Sequence, residues 1–253
     1  MKISEIKACL AQKPSANFLA AIDNDPRKGV QQALKLYYKK VAHLNHLKEE
    51  FTERLRYEKN FWHHGIKYIA GIDEVGRGPL AGPVVAAAVV LPATFDLLEV
   101  NDSKQLTAAK RQQLYPLILQ EALAVGIGIV DNHIIDKINI YQATRLAMTY
   151  AVQNLTLTPQ QLIIDALELD IDIPQLKLVK GDSRSISVAS ASIIAKVCRD
   201  HLMIEYDQLY PGYDFAHNVG YGTHKHLLGL KHLGITPIHR QSFAPVQKII
   251  KIK

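Results

Sequence analysis

Apolar and polar positions follow two different periods along the chain. Over residues 26–55 the apolar residues recur at spacings of three and four, which predicts one long amphipathic helix. Asp25 followed by Pro26 is typical of a helix N-cap and first turn. A similar pattern over residues 3–10 predicts a shorter helix. Residues 1–65 are therefore expected to form a small all-helical extension.

Beyond residue 65 short apolar runs alternate with helical patterns. The predicted strands lie near residues 68–72, 84–91, 124–130, 161–165 and 176–179, and the predicted helices near 107–123, 139–154 and 187–210. The first two strands are expected to pair as a hairpin. Small residues at the start of the last helix favour close packing against the sheet. Residues 66–253 are thus predicted to form an α/β domain, with helices flanking a mixed sheet.

Composition is that of a globular protein with a substantial core. Of 253 residues, 48% are hydrophobic, enough for one large domain and an extension. The longest apolar stretch, residues 80–91, is shorter than the roughly 20 residues that span a bilayer, so no membrane association is expected. The N-terminus lacks a signal-peptide apolar region, which favours a cytoplasmic protein. Cys9 and Cys198 have no metal-binding spacing, and we expect buried, reduced thiols.

The net charge of +6 is concentrated in the predicted extension. Residues 1–65 hold 12 Lys and Arg against 7 Asp and Glu, whereas residues 66–253 hold 18 against 17. A basic extension suits a nucleic-acid substrate, but solubility explains the excess equally well. The charge pattern leaves both interpretations open.

A glycine-rich segment at residues 72–83 carries the first candidate chemistry. It places Asp73 and Glu74 at a strand end, followed by Arg77 among glycines. The glycines permit close approach of a bulky ligand, and Arg77 supplies charge and fixed donors. The composition suits a polyanionic ligand. The alternative is an ordinary glycine-rich turn with solvated acids.

Acidic residues also end two later strands. Asp165 follows the apolar run at 161–164, and Asp182 follows the run at 176–179. Strand ends of an α/β sheet commonly meet at a ligand site, where several carboxylates would repel one another unless cations neutralised them. Oxygen ligands favour Mg²⁺ or Mn²⁺ over zinc. Two such ions can activate water against a phosphodiester. Any one of these acids, taken alone, also fits a cap or a turn.

Seven motifs in order over residues 68–245 resemble bacterial ribonuclease HII. They are GIDEVGRGPLAGPV at 71–84, NDSK at 101–104, IDA at 164–166, KGD at 180–182, ASASIIAKVCRD at 189–200, YGT at 221–223 and HRQSF at 239–243. The resemblance implies a ribonuclease H-like fold and endonucleolytic cleavage of RNA in RNA–DNA hybrids and at ribonucleotides embedded in duplex DNA. It also implies a place in ribonucleotide excision repair and DNA replication. Residues 1–65 resemble a helical extension of some members only.

The resemblance assigns roles to individual residues. The metal-binding, catalytic acids of the family match Asp73, Glu74, Asp165 and Asp182, with Mn²⁺ or Mg²⁺ as cofactor and 3′-hydroxyl and 5′-phosphate ends as products. The substrate-binding positions are Gly76, Arg77, Gly78, Ser103, Lys104 and Tyr221. The glycine-rich loop would read the ribose 2′-hydroxyl, Tyr221 would stack on the next sugar, and Ser103 and Lys104 would hold phosphates.

Plainer interpretations stay open for several of these residues. Tyr221 also fits a core aromatic, and residues 102–104 also fit a solvated turn. The single tryptophan, Trp62, is expected to pack a junction rather than stack on a base. Asp200 is interpreted as the partner of a neighbouring base, and Asp170 and Asp172 as a solvated loop.

Histidines crowd the C-terminal third without the spacing of a closed zinc site. They are His217, His224, His226, His232 and His239. We expect them on helix surfaces or near phosphates, with His226 or His239 able to assist proton transfer.

Two rival functions are weighed against a two-metal endoribonuclease. A non-catalytic module that binds hybrid duplexes would have no use for four strand-end acids, which repel phosphate. A structure-specific DNA nuclease would not need the residue 76–78 loop together with Tyr221. The expected partners are RNA–DNA hybrids and ribonucleotide-containing duplex DNA, acted on by a monomer without an obligate protein partner.

Overall fold

A computed structural model describes residues 1–251, which fall into two compact units, Met1–Thr52 and Glu53–Lys253. Within the described residues there are ten α-helices: α1 Ile3–Ala11, α2 Ala16–Asp23, α3 Lys28–Arg54, α4 Arg56–His63, α5 Ala108–Glu121, α6 Asn132–Gln153, α7 Ile186–Leu209, α8 Phe215–Asn218, α9 His224–Leu233 and α10 Ala244–Ile250. The strands are β1 Ile69–Val75, β2 Val84–Val90, β3 Ala124–Val130, β4 Gln161–Asp165 and β5 Gln175–Leu178. No helix within residues 1–251 is long and apolar enough to cross a membrane.

The N-terminal unit is helical, as predicted. Its core is formed by apolar side chains of α1, α2 and α3, including Ile6, Ile22 and Val30. The helix α2 was missed because it is short, although Ser15 caps it by accepting a hydrogen bond from the Phe18 amide. Asp25 was expected to cap the long helix but instead accepts hydrogen bonds from Arg27, just ahead of α3.

The second unit is built on one mixed sheet with the strand order β3-β2-β1-β4-β5. As predicted, β1 and β2 form an antiparallel hairpin, and β3 extends it as an antiparallel edge strand. On the other side β4 runs parallel to β1, and β5 runs parallel to β4. The carboxyl ends of β1, β4 and β5 therefore point to the same edge of the sheet.

Helices α6 and α7 pack closely on the sheet. Where α6 crosses β3, a side chain at Gly126 or Gly128 would meet the carbonyl oxygens of Ala151 or Ala147 within 2.0 Å. A Cβ atom at Gly71 of β1 would lie 2.1 Å from the carbonyl carbon of Ser187 in α7. The small residues at the start of α7 thus allow the close helix–sheet packing that the sequence predicts. The α/β fold class is confirmed.

Three local predictions differ from the structure. Helix α6 begins seven residues earlier than predicted, with a kink at Asn139, where φ is 67°. Residues 61–65, expected to form a junction, begin inside helix α4, whose Phe61 and Trp62 pack against a cluster containing Ile69 and Val188. This packing confirms the structural role expected for Trp62. Both cysteines are free, but they are partly exposed rather than buried.

Candidate active site

The predicted acids meet at one edge of the sheet. Ile72 of β1 pairs with Ile164 of β4, so Asp73 and Asp165 follow side by side on two parallel strands. Asp182 lies in a 3-10 turn, Gly181–Ser183, shortly after β5. The Gly181 amide donates a 2.7 Å hydrogen bond to Asp165 Oδ1, which ties this turn to the end of β4.

Burial and mutual repulsion dominate the electrostatics of these acids. Burial raises the pKa of Asp73 well above its usual value, and the charges of Glu74, Asp165 and Asp182 raise it further. Burial also raises the pKa of Glu74 and of Asp165. Each anion therefore makes the next one more costly to ionise, as expected for a site that is completed by cations.

Two side-chain cations reach the acids from neighbouring loops. Lys104 Nζ lies 2.8 Å from Asp182 Oδ2, and Arg77 Nη1 lies 3.4 Å from Glu74 Oε1. Burial alone would lower the pKa of Lys104, but its hydrogen bond and ion pair with Asp182 raise it. These cations leave part of the negative charge of the cluster unneutralised.

The donor set fits a hard divalent cation, although the side chains are not arranged as a finished metal site. Within the described residues, no three His, Cys, Asp or Glu side chains stand in a metal-holding arrangement. Glu74 Oε2 is nevertheless buried without a hydrogen-bond partner. A buried carboxylate oxygen that lacks a partner is costly, and a cation bound by oxygen ligands would satisfy it.

The predicted substrate loop and Tyr221 are brought together. A Cβ atom at Gly78 would lie 3.3 Å from Tyr221 Cε1, so the tyrosine ring covers this part of the loop. Tyr221 is 45% exposed, which excludes the core-aromatic interpretation. Gly76 has φ of 93°, and a side chain there would collide with Arg199. Glycine is therefore required at this position both for its backbone angle and for space.

Ser103 and Lys104, predicted together as phosphate contacts, differ in accessibility. The Lys104 side chain is largely exposed, whereas Ser103 is buried. Ser192 Oγ of α7 donates a 2.9 Å hydrogen bond to Ser103 Oγ. The structure therefore places Ser103 against α7, where its hydroxyl oxygen accepts from Ser192.

Comparisons with known proteins show the family of the chain. A family model described as ribonuclease HII matches residues 70–246, and one described as the ribonuclease HII N-terminal domain matches residues 2–62. The chain is 56% identical to ribonuclease HII of Ligilactobacillus salivarius over 250 residues, covering 99% of this chain and 98% of the relative. It is also 56% identical to ribonuclease HII of Levilactobacillus brevis over 251 residues, covering 98% and 97% of the two chains.

The chain belongs to the ribonuclease HII family. This family degrades RNA in RNA–DNA hybrids, so the protein is a nuclease of the hydrolase class. The crystal structure of ribonuclease H2 from Pyrococcus horikoshii OT3 matches with a TM-score of 0.63 at 25% identity, covering 73% of this chain and 98% of that chain. The ribonuclease H-like fold predicted from the sequence is thereby confirmed.

Sequence reasoning missed the roles of three buried charged residues. Glu58 of α4 accepts hydrogen bonds at Oε1 from the Ser185 and Ser187 hydroxyls and from the Ser187 amide, at the start of α7. Arg199 and Arg240 are both fully buried and bind backbone carbonyl oxygens. Their partners are distant in sequence, so no local pattern could have identified them.

The histidine prediction is wrong for two of the five residues. His226 and His239 are fully buried, and their Nε2 atoms lie 3.0 Å apart. Burial lowers the pKa of both rings, which opposes a surface role near phosphate. Asp200, by contrast, pairs with Lys196 at 2.7 Å, as predicted. Asp170 and Asp172 are exposed, as expected of a solvated loop.

Proposed function

We propose that this protein is a metal-dependent endonuclease that hydrolyses the RNA strand of RNA–DNA hybrids and cleaves at ribonucleotides embedded in duplex DNA. The observation that carries the proposal is the set of four acids at one sheet edge, Asp73, Glu74, Asp165 and Asp182. The raised pKa of Asp73 and the unpartnered Glu74 Oε2 mark an anionic site that lacks sufficient countercharge.

In this proposal the four carboxylates hold Mn²⁺ or Mg²⁺. When bound, such ions lower the pKa of a coordinated water and stabilise charge on the phosphodiester oxygens, and the products carry 3′-hydroxyl and 5′-phosphate ends. The Gly181 amide orients Asp165 through its hydrogen bond to Oδ1. Lys104 neutralises Asp182, and its exposed ammonium is also within reach of a phosphate.

Substrate selection is assigned to the loop at residues 76–78 and to Tyr221. The contact between Gly78 and the Tyr221 ring supports a single surface that reads two adjacent sugars. The loop would bind the ribose 2′-hydroxyl, and the exposed ring would pack on the following deoxyribose. A DNA nuclease would gain nothing from this pairing.

Residues 1–65 are proposed as a basic substrate-binding extension of a catalytic domain at 66–253. Support comes from α3, where residues 28–48 contain five lysines and no acidic residue. Those lysines are exposed, as expected of a surface that faces phosphates.

The central test is cleavage of a duplex that carries one ribonucleotide, with Mg²⁺ or Mn²⁺ and with both chelated. The wild-type protein should cut only with metal. Asp165→Asn should reduce the single-turnover rate at least about 100-fold, because it removes a metal-binding charge with little change in volume. Asp170→Asn, in the exposed loop that follows β4, is the matched control and should retain the wild-type rate.

Three outcomes would contradict the proposal. A folded Asp165→Asn variant with a near-normal rate would remove Asp165 from the metal site. Tight binding of hybrid duplexes by a wild-type protein that never cuts them would favour the non-catalytic binding module instead. Equal cleavage of all-DNA duplex would favour a DNA nuclease.

A further inference from the structure

Two arginines are buried behind the substrate loop without a carboxylate to pair with. Arg199 lies on α7 and Arg240 lies between α9 and α10, and both are 0% exposed. Within the part of the chain that the structure describes, neither forms an ion pair. Buried charges are normally paired, so these two need another explanation.

Both guanidinium groups bind backbone carbonyl oxygens of the glycine-rich segment. Arg240 donates through Nη2 to Gly76 O at 2.6 Å, through Nη1 to Arg77 O at 2.9 Å, and through Nε and Nη2 to Gly82 O at 3.0 and 2.9 Å. Arg240 therefore grips both ends of the turn at residues 76–82. A planar guanidinium with five fixed donors can do this, whereas a lysine ammonium cannot.

Arg199 holds the far end of the same segment and ties it to the loop that carries Tyr221. It donates through Nε to Pro83 O at 2.9 Å, through Nη2 to Ala81 O at 3.1 Å, and through Nη1 to Val219 O at 2.8 Å. The Leu80 amide adds a 2.8 Å bond to Gly220 O. The two substrate elements are therefore parts of one hydrogen-bonded unit.

The hydrogen bonds to Arg240 also fix the direction of the backbone amides in the loop. The structure contains no cis peptide within residues 1–251, so each carbonyl points opposite to the amide of the next residue. Because Gly76 O and Arg77 O point inward to Arg240, the amides of Arg77 and Gly78 point away from it. Neither amide has a hydrogen-bond acceptor among the described residues.

The buried arginines also keep their charge. Burial lowers the pKa of Arg199 to about 10 and of Arg240 to about 9, so both remain cationic at neutral pH. A positive charge beside a carbonyl oxygen polarises the whole peptide group, and the N–H of that peptide group becomes a stronger hydrogen-bond donor.

We propose that Arg240, supported by Arg199, is a positioning residue for ribose recognition: it turns the Arg77 and Gly78 amides outward as donors to the 2′-hydroxyl oxygen. This inference rests on the proposed function, because it assumes that the loop meets a ribonucleotide. It adds that the selectivity for ribose is set by a buried guanidinium that never contacts the substrate.

The test compares binding of a duplex with one ribonucleotide and of the same duplex with deoxyribose, in EDTA so that neither is cut. Arg240→Lys keeps the positive charge but loses the planar guanidinium and its fixed donors. It should reduce the ratio of the affinities for the ribonucleotide duplex and the all-DNA duplex about tenfold, while the affinity for the all-DNA duplex changes less than about twofold. Arg199→Lys should act in the same direction. The matched control is Arg145→Lys, whose guanidinium also donates to a carbonyl, Glu168 O, but far from the loop in sequence.

Each outcome has a distinct meaning. Equal losses on both duplexes would show that Arg240 only supports folding, and an unchanged preference would show that it does not orient the loop; either result overturns the inference. A wild-type protein that does not distinguish the two duplexes would instead refute the proposed function.

A measurement on the wild-type protein covers the case in which the variants do not fold. The ¹H–¹⁵N signals of the Arg77 and Gly78 amides should shift more with the ribonucleotide duplex than with its all-DNA counterpart. Signals that respond equally to both duplexes would overturn the inference without any substitution.

Discussion

At the scale of single residues, Tyr221 and Gly78 show how two distant motifs form one contact surface. The tyrosine ring lies over the glycine, and a side chain at residue 78 would approach the ring to 3.3 Å. The ring is nearly half exposed, and in the proposed function its outer face would receive a sugar. The ring can pack on deoxyribose, whereas a 2′-hydroxyl would lose water there without gaining a partner.

Tyr221→Ala should therefore slow cleavage most at an RNA-to-DNA step. We expect a loss of about 1 to 3 kcal/mol in transition-state stabilisation there, comparable to removing a base-stacking aromatic, and a smaller loss on a uniform hybrid. Single-turnover rates on the two substrates measure the difference. Tyr141→Ala, at an equally exposed tyrosine of α6, should change neither rate. Equal losses on both substrates would mean that Tyr221 supports the site in general.

The residue scale also separates what sequence can predict from what it cannot. Asp73 and Asp165 are identifiable because each follows an apolar run of its strand, and the carboxyl ends of these parallel strands converge in this type of sheet. Arg240 is not identifiable, because its partners are backbone carbonyls more than 150 positions away. A backbone carbonyl carries no sequence signature. Glu58 is not identifiable either, because its partners Ser185 and Ser187 are distant in sequence.

At the scale of elements, helix α9 is joined to the segment that follows it by a chain of neutral histidines. The Thr236 amide donates to His239 Nδ1 at 2.8 Å, so the proton of His239 lies on Nε2 and is donated to His226 Nε2. His226 Nδ1 in turn donates to Tyr221 O at 2.9 Å. Each ring must be neutral for this chain to form.

The stability of this region should therefore fall in acid. Burial lowers the pKa of His239 to about 4, against about 6.5 for an unfolded histidine. The neutral His239 ring contributes fully to the free energy of unfolding above about pH 6.5. This contribution is lost as the pH falls towards about 4, because the unfolded chain takes up the proton first. The expected loss is roughly 2 to 3 kcal/mol.

Chemical denaturation between pH 4.5 and 7.5 measures how the free energy of unfolding depends on pH. As the pH falls, this free energy should decrease less steeply in His239→Gln than in the wild type. The exposed His232 on α9 provides the control, and His232→Gln should leave the slope unchanged. Parallel pH profiles for wild type and His239→Gln would contradict the neutral-pair interpretation.

Helices and strands could be predicted from the sequence where a periodic apolar pattern or a pattern of small residues extended over many positions. The start of α6 was missed because Asn139 adopts a positive φ inside it, which breaks the pattern that the sequence presents. Helix α4 was missed because it has only eight residues, although its Phe61 and Trp62 pack against the cluster that contains Ile69. Short helices such as α8, which has four residues, carry too few positions to show a period.

At the scale of the whole molecule, the positive charge and the acids belong to different units. Residues 1–52 hold nine Lys and Arg against five Asp and Glu, whereas the candidate catalytic acids all lie beyond residue 52. The structure also indicates where a truncation should end. A deletion that extends past Glu58 would remove its hydrogen bonds to the start of α7.

Deletion of residues 1–52 should weaken binding of a hybrid duplex, and the deficit should shrink as salt rises, because fewer phosphate contacts are lost when ions screen them. Binding isotherms from about 50 to 200 mM salt measure how the affinity for the hybrid duplex depends on salt concentration. Deletion of residues 1–60 should in addition lower the melting temperature, since Ser185 and Ser187 lose their carboxylate partner. Unchanged affinity at low salt would show that the N-terminal unit is not a substrate-binding element.

The strand order has a further consequence for the newly made chain. The central strand β1 is synthesised before every other strand, its neighbour β2 follows as an antiparallel partner, and β3 then pairs antiparallel with β2. The parallel strand β4 and the turn that carries Asp182 emerge from the ribosome about 90 to 110 residues later, which takes several seconds at typical rates of translation. During that interval Asp73 and Glu74 lie at an open sheet edge, without the other two acids. The four-acid site of the proposed function therefore cannot form in a nascent chain until synthesis has passed residue 182.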